Sequence, residues 1–476
     1  MIAFSALALF AQQSPSSNFD EQAARGRVVP SVTCGDDPTE SYALYLPRNY
    51  SRDRAWPIIY AFDPFARGKE AVEVYKDAAE RYGYIVVGSN NSRNGPSAAQ
   101  LGAAQAVWLD THRRLVINKD RVYTTGLSGG ARVATSFALY CYTCAVAGVI
   151  SHGAGYPIGQ NQKAPANDHF NYYAIVGDRD LNYPEIIELR KKDDEAGASF
   201  KVRVYPGPHQ WAPPEIVAEA VEWLELKAMQ AGKENPDPAF VHRLFENTEA
   251  EAAQAGQHGD VLNQYFAVRS LVEDFKGLED TSVFQNQLRE LKNSKAFKTA
   301  LRNQQREIEE QSELTAVASS ELAQFGAGPD PEVDPGRQVS SPNAQLGLGR
   351  HISLVMTDLR RRANSKGTDH LVCERAFSQL YIQGMEAGTD ALREGRVSQA
   401  TAYFELMTEA VPDQAWPPLM LAEAHVRAGN KKAALKAVAM AIEHGLKHAE
   451  SLTSDPELEP LASDPAFQRM VRSLNP

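Results

Sequence analysis

Cysteine is scarce in this 476-residue chain, at four residues: Cys34, Cys141, Cys144 and Cys373. So few cannot make a disulfide scaffold; they allow one or two bridges whose connectivity the sequence does not reveal. Cys141-x-x-Cys144 falls late in a helical pattern rather than at a helix start, where a thiol pKa would be lowered, so it does not read as a redox motif. Zinc would need two further ligands at metal spacing, and none is near, so no metal site is expected. Positive charge is also in short supply, with 49 Lys and Arg against 60 Asp and Glu and a net charge of -11. That balance, with no large basic cluster, argues against a surface that tracks nucleic-acid phosphates.

Long apolar runs are missing too. Ile2–Ala11 is apolar and of signal-peptide core length, but too short to span a bilayer, and no integral membrane segment is expected. It lacks a basic stretch before it, yet the polar Gln12-Gln13-Ser14-Pro15 that follows fits a leader, and we expect export to the periplasm or the cell exterior. Residues 1–27 are set apart as leader and linker.

What remains is ordinary globular composition, 43% hydrophobic and 23% charged, in a chain long enough for two or three domains. Apolar strand-like runs lie at 41–46, 56–62, 84–88, 122–125, 146–150, 172–176 and 200–205, with helical patterns between them at 69–82, 98–115, 129–144, 184–196 and 213–231. Strands alternating with helices predict a doubly wound, mostly parallel α/β sheet over 28–232, with its ligand site at the carboxyl ends of the strands.

Three of those ends carry polar chemistry. Gly126-Leu127-Ser128-Gly129-Gly130 fits G-x-S-x-G between a strand and a helix, the setting in which glycines let the two approach and a serine is held at the tip of a strained turn. Strand 172–176 runs into Gly177-Asp178-Arg179-Asp180, and strand 200–205 into Pro206-Gly207-Pro208-His209. A serine hydroxyl needs an imidazole to take its proton, and the imidazole needs a carboxylate to fix its tautomer. Both aspartates follow the strand, and spacing alone does not choose between them.

Residues 30–230 resemble the polyhydroxybutyrate depolymerase and feruloyl esterase branch of the α/β-hydrolase family, through Arg121-Val-Tyr-x-x-Gly-Leu-Ser-Gly-Gly130, Gly177-x-x-Asp180 and His209-x-Trp211. The resemblance implies carboxylic ester hydrolysis without a metal or organic cofactor. It implies Ser128 as nucleophile, His209 as general base and acid, Asp180 as the orienting carboxylate and the Gly129 N–H as one oxyanion donor. The same fold also admits a serine peptidase, and a vestigial hydrolase in an interaction protein is the rival of another class.

One departure stands out. Where such hydrolases carry His-Gly-Gly after the third strand, this chain has Phe62-Asp63-Pro64-Phe65, and proline cannot donate. The second oxyanion donor must come from Asp63, Phe62 or Phe65. The Asp63 carboxylate is expected to turn away, toward Arg67 or the next helix start, because its charge would oppose the one that develops. Phe65, Asn90, Asn91 and Trp211 are taken as substrate contacts, the asparagines belonging to the amide-rich loop 88–95, which reads equally as a solvated turn. With only a short connection before the strand at 172, no lid domain fits. An open site suits bulky or polymer-attached esters.

The stretch 230–238 reads as a linker, 239–366 as helical with a Gly- and Pro-rich loop at 326–349, and 369–476 as a helical repeat region with a cap. Ala391…Gly395…Ala400…Phe404 and His425…Gly429…Ala434…Val438 align at a shift of 34 residues, resembling tetratricopeptide units. These imply either a groove for a protein or peptide partner or a packing scaffold.

Overall fold

The computed structural model describes residues 20–141, 143–157, 170–196, 199–325, 342–365 and 367–474. The apolar leader and most of the Gly- and Pro-rich loop lie outside the described residues, as does much of the connection before residue 170. By internal contacts the chain forms two compact units, Met1–Ala300 and Leu301–Pro476.

The first unit is organised on eight strands: β1 (Val28–Thr33), β2 (Ser41–Tyr45), β3 (Trp56–Phe62), β4 (Ile85–Ser89), β5 (Ile117–Leu127), β6 (Val146–His152), β7 (Asn171–Gly177) and β8 (Phe200–Tyr205). Their order across the sheet is β1-β2-β4-β3-β5-β6-β7-β8, antiparallel at β1–β2 and β2–β4 and parallel from β4 to β8. This is a mostly parallel sheet with an antiparallel edge, the doubly wound arrangement that the sequence predicts.

Every residue of β3 is buried, because helices cover both faces and a parallel strand has no solvated side. Ile59, Tyr123 and Tyr173 point to the face covered by helices Gly68–Tyr82 and Pro214–Gln230, where they meet Val72, Tyr75, Val217 and Trp223. Their neighbours in sequence point the other way. Tyr60 Oη lies 2.7 Å from Thr111 Oγ1 of helix Ser97–Arg114, and Thr124 Oγ1 donates to Ala134 O of helix Gly129–Tyr140 at 3.0 Å. That helix ends earlier than its pattern suggests, and Cys141 and Cys144 just beyond it form a disulfide, while Cys34 and Cys373 are buried free thiols.

By contacts the first unit runs to Ala300, past the compositional break at 230–238. That break is a capped turn in which Asp237 accepts from Ala239 N and Phe240 N, with Pro238 at the first helical position. Leu226 and Met229 share one core with Val241 and Phe245 of helix Pro238–Gln257 and with Val268 and Leu271 of helix Val261–Glu273.

The second unit is helical. Helices Pro342–Ala363, His370–Arg393, Val397–Ala410, Trp416–Arg427 and Lys431–Glu443 each pack on the next. Ala391, Ala400, Phe404, Ala434 and Val438 are fully buried where the helices meet. Gly388 is needed there, since a Cβ on it would come within 2.6 Å of the Phe404 ring. Gly395 and Gly429 both end helices at positive φ, 79° and 69°, and the turns share their closing bond: Arg396 N donates to Ala391 O and Asn430 N to His425 O, each at 2.8 Å.

Candidate active site

Ser128 stands between β5 and helix Gly129–Tyr140 with φ 54° and ψ -122°, a backbone conformation rare outside glycine. The turn closes so tightly that a Cβ on Gly126 would overlap the Gly130 backbone, and one on Gly130 would overlap Phe62 O. Both glycines of the motif are therefore sterically required. Ser128 N donates to His152 O at the end of β6 (2.8 Å), which ties the tip of the turn to the next strand. Helix Gly129–Tyr140 starts at the serine, so the positive end of its dipole lies there.

The loops after β7 and β8 meet beside this turn. His209 Nδ1 lies 2.9 Å from Asp180 Oδ1, and Asp180 is buried at 1% exposure. Asp180 Oδ1 also accepts from Asn182 N (2.8 Å). A carboxylate can only accept, so Nδ1 carries the proton and Nε2 is left as the basic nitrogen. Asp178 faces elsewhere. Its Oδ1 accepts from Gly207 N (3.0 Å), bracing the loop that leads to His209.

Gly153, one residue past His152, completes the link between the serine turn and this pair. Its φ is 59°, and a Cβ there would stand 2.5 Å from Asp180 Oδ2 and 2.9 Å from His209 Nδ1. Any larger residue would push the two apart.

At the end of β3 the Asp63 side chain turns away from the serine turn, as electrostatics requires. Its Oδ1 takes Arg67 Nε (2.9 Å) and Phe65 N (2.9 Å), and its Oδ2 takes Arg67 Nη2 (2.9 Å) and Trp211 Nε1 (2.9 Å). The Phe65 N–H is thus committed to a carboxylate and Pro64 has none. Phe62 is still within β3, paired with Gly126 in the ladder to β5, so Asp63 N is the donor at the strand end, 3.2 Å from where a Cβ on Gly130 would stand.

The four expected substrate contacts divide. Phe65 is 53% exposed, with the Arg67 guanidinium 5.1 Å from its ring centroid. Trp211 gives its N–H to Asp63 and packs edge-on against His152, centroids 4.8 Å apart, so its polar atom is structural. The structure commits Asn90 and Asn91 to the β1–β2 end of the sheet: Asn90 Nδ2 donates to Pro30 O (3.1 Å), Asn91 Nδ2 to Thr39 O (3.0 Å), and Asn91 Oδ1 accepts from Ser41 N (2.9 Å). Asn94 of the same loop comes to the site instead. Its N donates to Pro64 O (2.8 Å), and a Cβ on Gly129 would overlap its side chain.

No family model matches the sequence, and no curated protein matches it. Solved structures do. S-formylglutathione hydrolase (FrmB) from Staphylococcus aureus is similar at 13% identity and TM-score 0.33, over 42% of this chain and 96% of that one. A ferulic acid esterase is similar at 16% identity and TM-score 0.32, over 41% and 93%. An esterase from Pyrobaculum calidifontis is similar at 12% identity and TM-score 0.35, over 42% and 85%. At these identities and TM-scores the fold rests on the strand order described above and the chemistry on the residues.

His152 and the Arg132–Glu185 pair escaped the sequence reading. His152 is buried, accepts from Ala212 N at Nδ1 (3.4 Å) and meets Tyr75 Oη at Nε2 (2.8 Å), so it is a neutral imidazole, and burial brings its pKa down to about 3. Arg132 of the helix after Ser128 forks onto Glu185 (2.8 and 2.7 Å), which also accepts from Gly155 N (2.8 Å) and so holds the loop after β6 to that helix. Neither stands in a recognisable motif; one apolar-strand histidine and one helical arginine carry no signal until the fold pairs them.

Proposed function

We propose that the first unit is a serine hydrolase acting on carboxylic esters through an acyl-Ser128 intermediate. The observation that carries this reading is the 2.9 Å His209–Asp180 pair, packed on Gly153 beside a serine held at φ 54°. In the reaction the Ser128 hydroxyl attacks the ester carbonyl carbon as His209 Nε2 takes its proton. Asp180 stabilises the imidazolium that forms and keeps its tautomer. The carbonyl oxygen, now an anion, is held by the Gly129 and Asp63 N–H groups near the positive end of the helix. Arg67 and Trp211 draw the Asp63 carboxylate off, so that only the backbone of that residue faces the anion. His209 then protonates the departing alcohol, and water attacks the acyl-serine by the same route.

An exposed Phe65 beside the donors favours a substrate with an aromatic or otherwise bulky apolar group. The Cys141–Cys144 disulfide favours export. We read the second unit as tetratricopeptide-like on the matched turns at Gly395 and Gly429.

A fluorophosphonate probe tests nucleophile, base and anion donors together, because its phosphonyl oxygen needs the same donors as an ester. Wild type should label stoichiometrically and hydrolyse short-chain nitrophenyl esters, Ser128→Ala should not label, and His209→Ala should label far more slowly. Folded wild type that takes up no probe and cleaves no activated ester would end the hydrolase reading.

A further inference from the structure

A crevice of about 710 Å³ in the first unit is lined by none of the residues of the candidate active site. It runs along β8, the last strand of the sheet, which among the described residues pairs with β7 alone. Tyr172 N donates to Ser199 O (2.9 Å) and Asp178 N to Tyr205 O (2.8 Å). Backbone groups of successive strand residues turn to opposite sides, so between these two bonds Lys201 and Arg203 face β7, and the N–H and C=O groups of Phe200, Val202 and Val204 face the crevice. Among the described residues no hydrogen bond reaches those groups.

Open sheet edges are guarded by charged side chains, prolines or bulges, or are covered by a helix or loop. Here helices Pro238–Gln257 and Val261–Glu273 form the far wall and Pro214–Gln230 another, yet space remains along the edge. Side chains tie the walls together around that space: Lys201 Nζ meets Ser270 Oγ at 3.0 Å, and Arg203 Nε meets Glu219 Oε2 at 2.9 Å.

Two properties select an occupant. Donors and acceptors recurring every second residue are matched by another extended backbone, and this edge offers about five residues, or roughly 17 Å, of it. Charge selects the side chains. Six carboxylates line the crevice; Glu219, Glu222, Glu273 and Asp274 are ion-paired, with Arg203, Arg243, Arg269 and the Lys201–Lys227 couple, which leaves Glu251 and Asp260 without an ion pair among the described residues. Burial raises the proton affinity of Glu219, Arg203 beside it works the other way, and the charge of Glu251 adds to the rise. A lysine or arginine entering the crevice would relieve that repulsion.

We propose that β8 is a docking edge for a short, extended, basic segment of another polypeptide, which adds to the sheet as a ninth strand inside this crevice. The proposal does not depend on the hydrolase reading.

The probe is a fluorescein-labelled, acetylated Val-Lys-Val-Lys-Val-Lys-Val amide, titrated against the full-length protein by anisotropy. Saturable binding is expected, with slower hydrogen exchange at the Val202 and Val204 amides. A peptide with alternate backbone nitrogens methylated and a Val-Glu counterpart should each bind at least about tenfold more weakly. Val202→Pro removes an outward N–H without touching the ladder to β7, a substitution edge strands tolerate. It should weaken binding by about tenfold with the melting temperature and probe labelling of Ser128 unchanged. Glu251→Lys should move the preference toward the Val-Glu peptide. Absence of saturable binding overturns the proposal, as does binding that ignores backbone methylation, an arm that stands even if Val202→Pro does not fold. A concentration-dependent dimer, lost in Val202→Pro, would overturn it in favour of a second copy of this chain.

Discussion

Asp178 and Asp180 both leave the carboxyl end of β7, and two positions of difference give them different work. Asp180 meets His209 Nδ1, whereas Asp178 holds Gly207 N. Asp180→Asn should therefore lower turnover by about four orders of magnitude, since an amide can turn its N–H toward His209 and favour the wrong tautomer. Asp178→Asn should keep turnover within about tenfold, its effect being indirect, through the Gly207 turn. Ester kinetics on the two variants decide the matter, and the reverse pattern would reassign the acid. Spacing left this choice open, and only the Gly177-x-x-Asp180 resemblance pointed to the second residue. The asparagines show what sequence does not carry. An amide-rich loop was legible at 88–95, but which amide turns to the sheet and which to the serine depends on the path of the loop, and that path is fixed by partners such as Pro30 and Pro64, distant in the chain.

At the level of elements, the long apolar runs of β3, β4, β6 and β7 were readable because a buried parallel strand has no polar side to interrupt it. β1 was not, for Pro30 interrupts its run, its register breaks between Val29 and Val32, and half-exposure leaves no alternation to read. Elements are also joined by residues that no periodicity marks. His152 fastens the end of β6 to helix Gly68–Tyr82 through Tyr75, and to the loop before helix Pro214–Gln230 through Ala212 N. Burial holds its pKa at about 3, well below that of a histidine in an unfolded chain, near 6.5. Between those values the unfolded chain binds the extra proton. The stability that His152 contributes is thus complete above about pH 6.5 and erodes as pH falls toward about 3, at up to about 1.4 kcal/mol per unit. His152→Gln keeps a donor and an acceptor but does not titrate. Denaturant unfolding of this variant from about pH 6 to 4 should show a shallower loss of stability than wild type, and an equal slope would place the titrating group elsewhere.

For the whole molecule, composition and packing draw different lines. The proline-broken stretch at 230–238 has the chemistry of a linker, yet Leu226 and Met229 before it and Val241 and Phe245 after it bury one another. Composition reports on the local chain, whereas a shared core is a property of pairs. A fragment of residues 20–300 should unfold cooperatively and label with fluorophosphonate, while 20–232, left with an uncovered apolar helix face, should aggregate or melt without a sharp transition. Calorimetry on both fragments checks this, and a cooperative transition in 20–232 alone would show that the helices beyond 238 are dispensable.

Trp211, one of five tryptophans in the chain, gives its N–H to Asp63 and rests its ring on His152. Indole emission shifts in colour with the field around the ring and with the bond at its nitrogen. The loop bearing His209 therefore contains its own optical reporter, wired to the residue whose backbone faces the anion. Trp56, at the opposite end of β3, is roughly 20 Å of strand away and buried, so its light should stay constant as an internal reference while acylation of Ser128 changes that of Trp211.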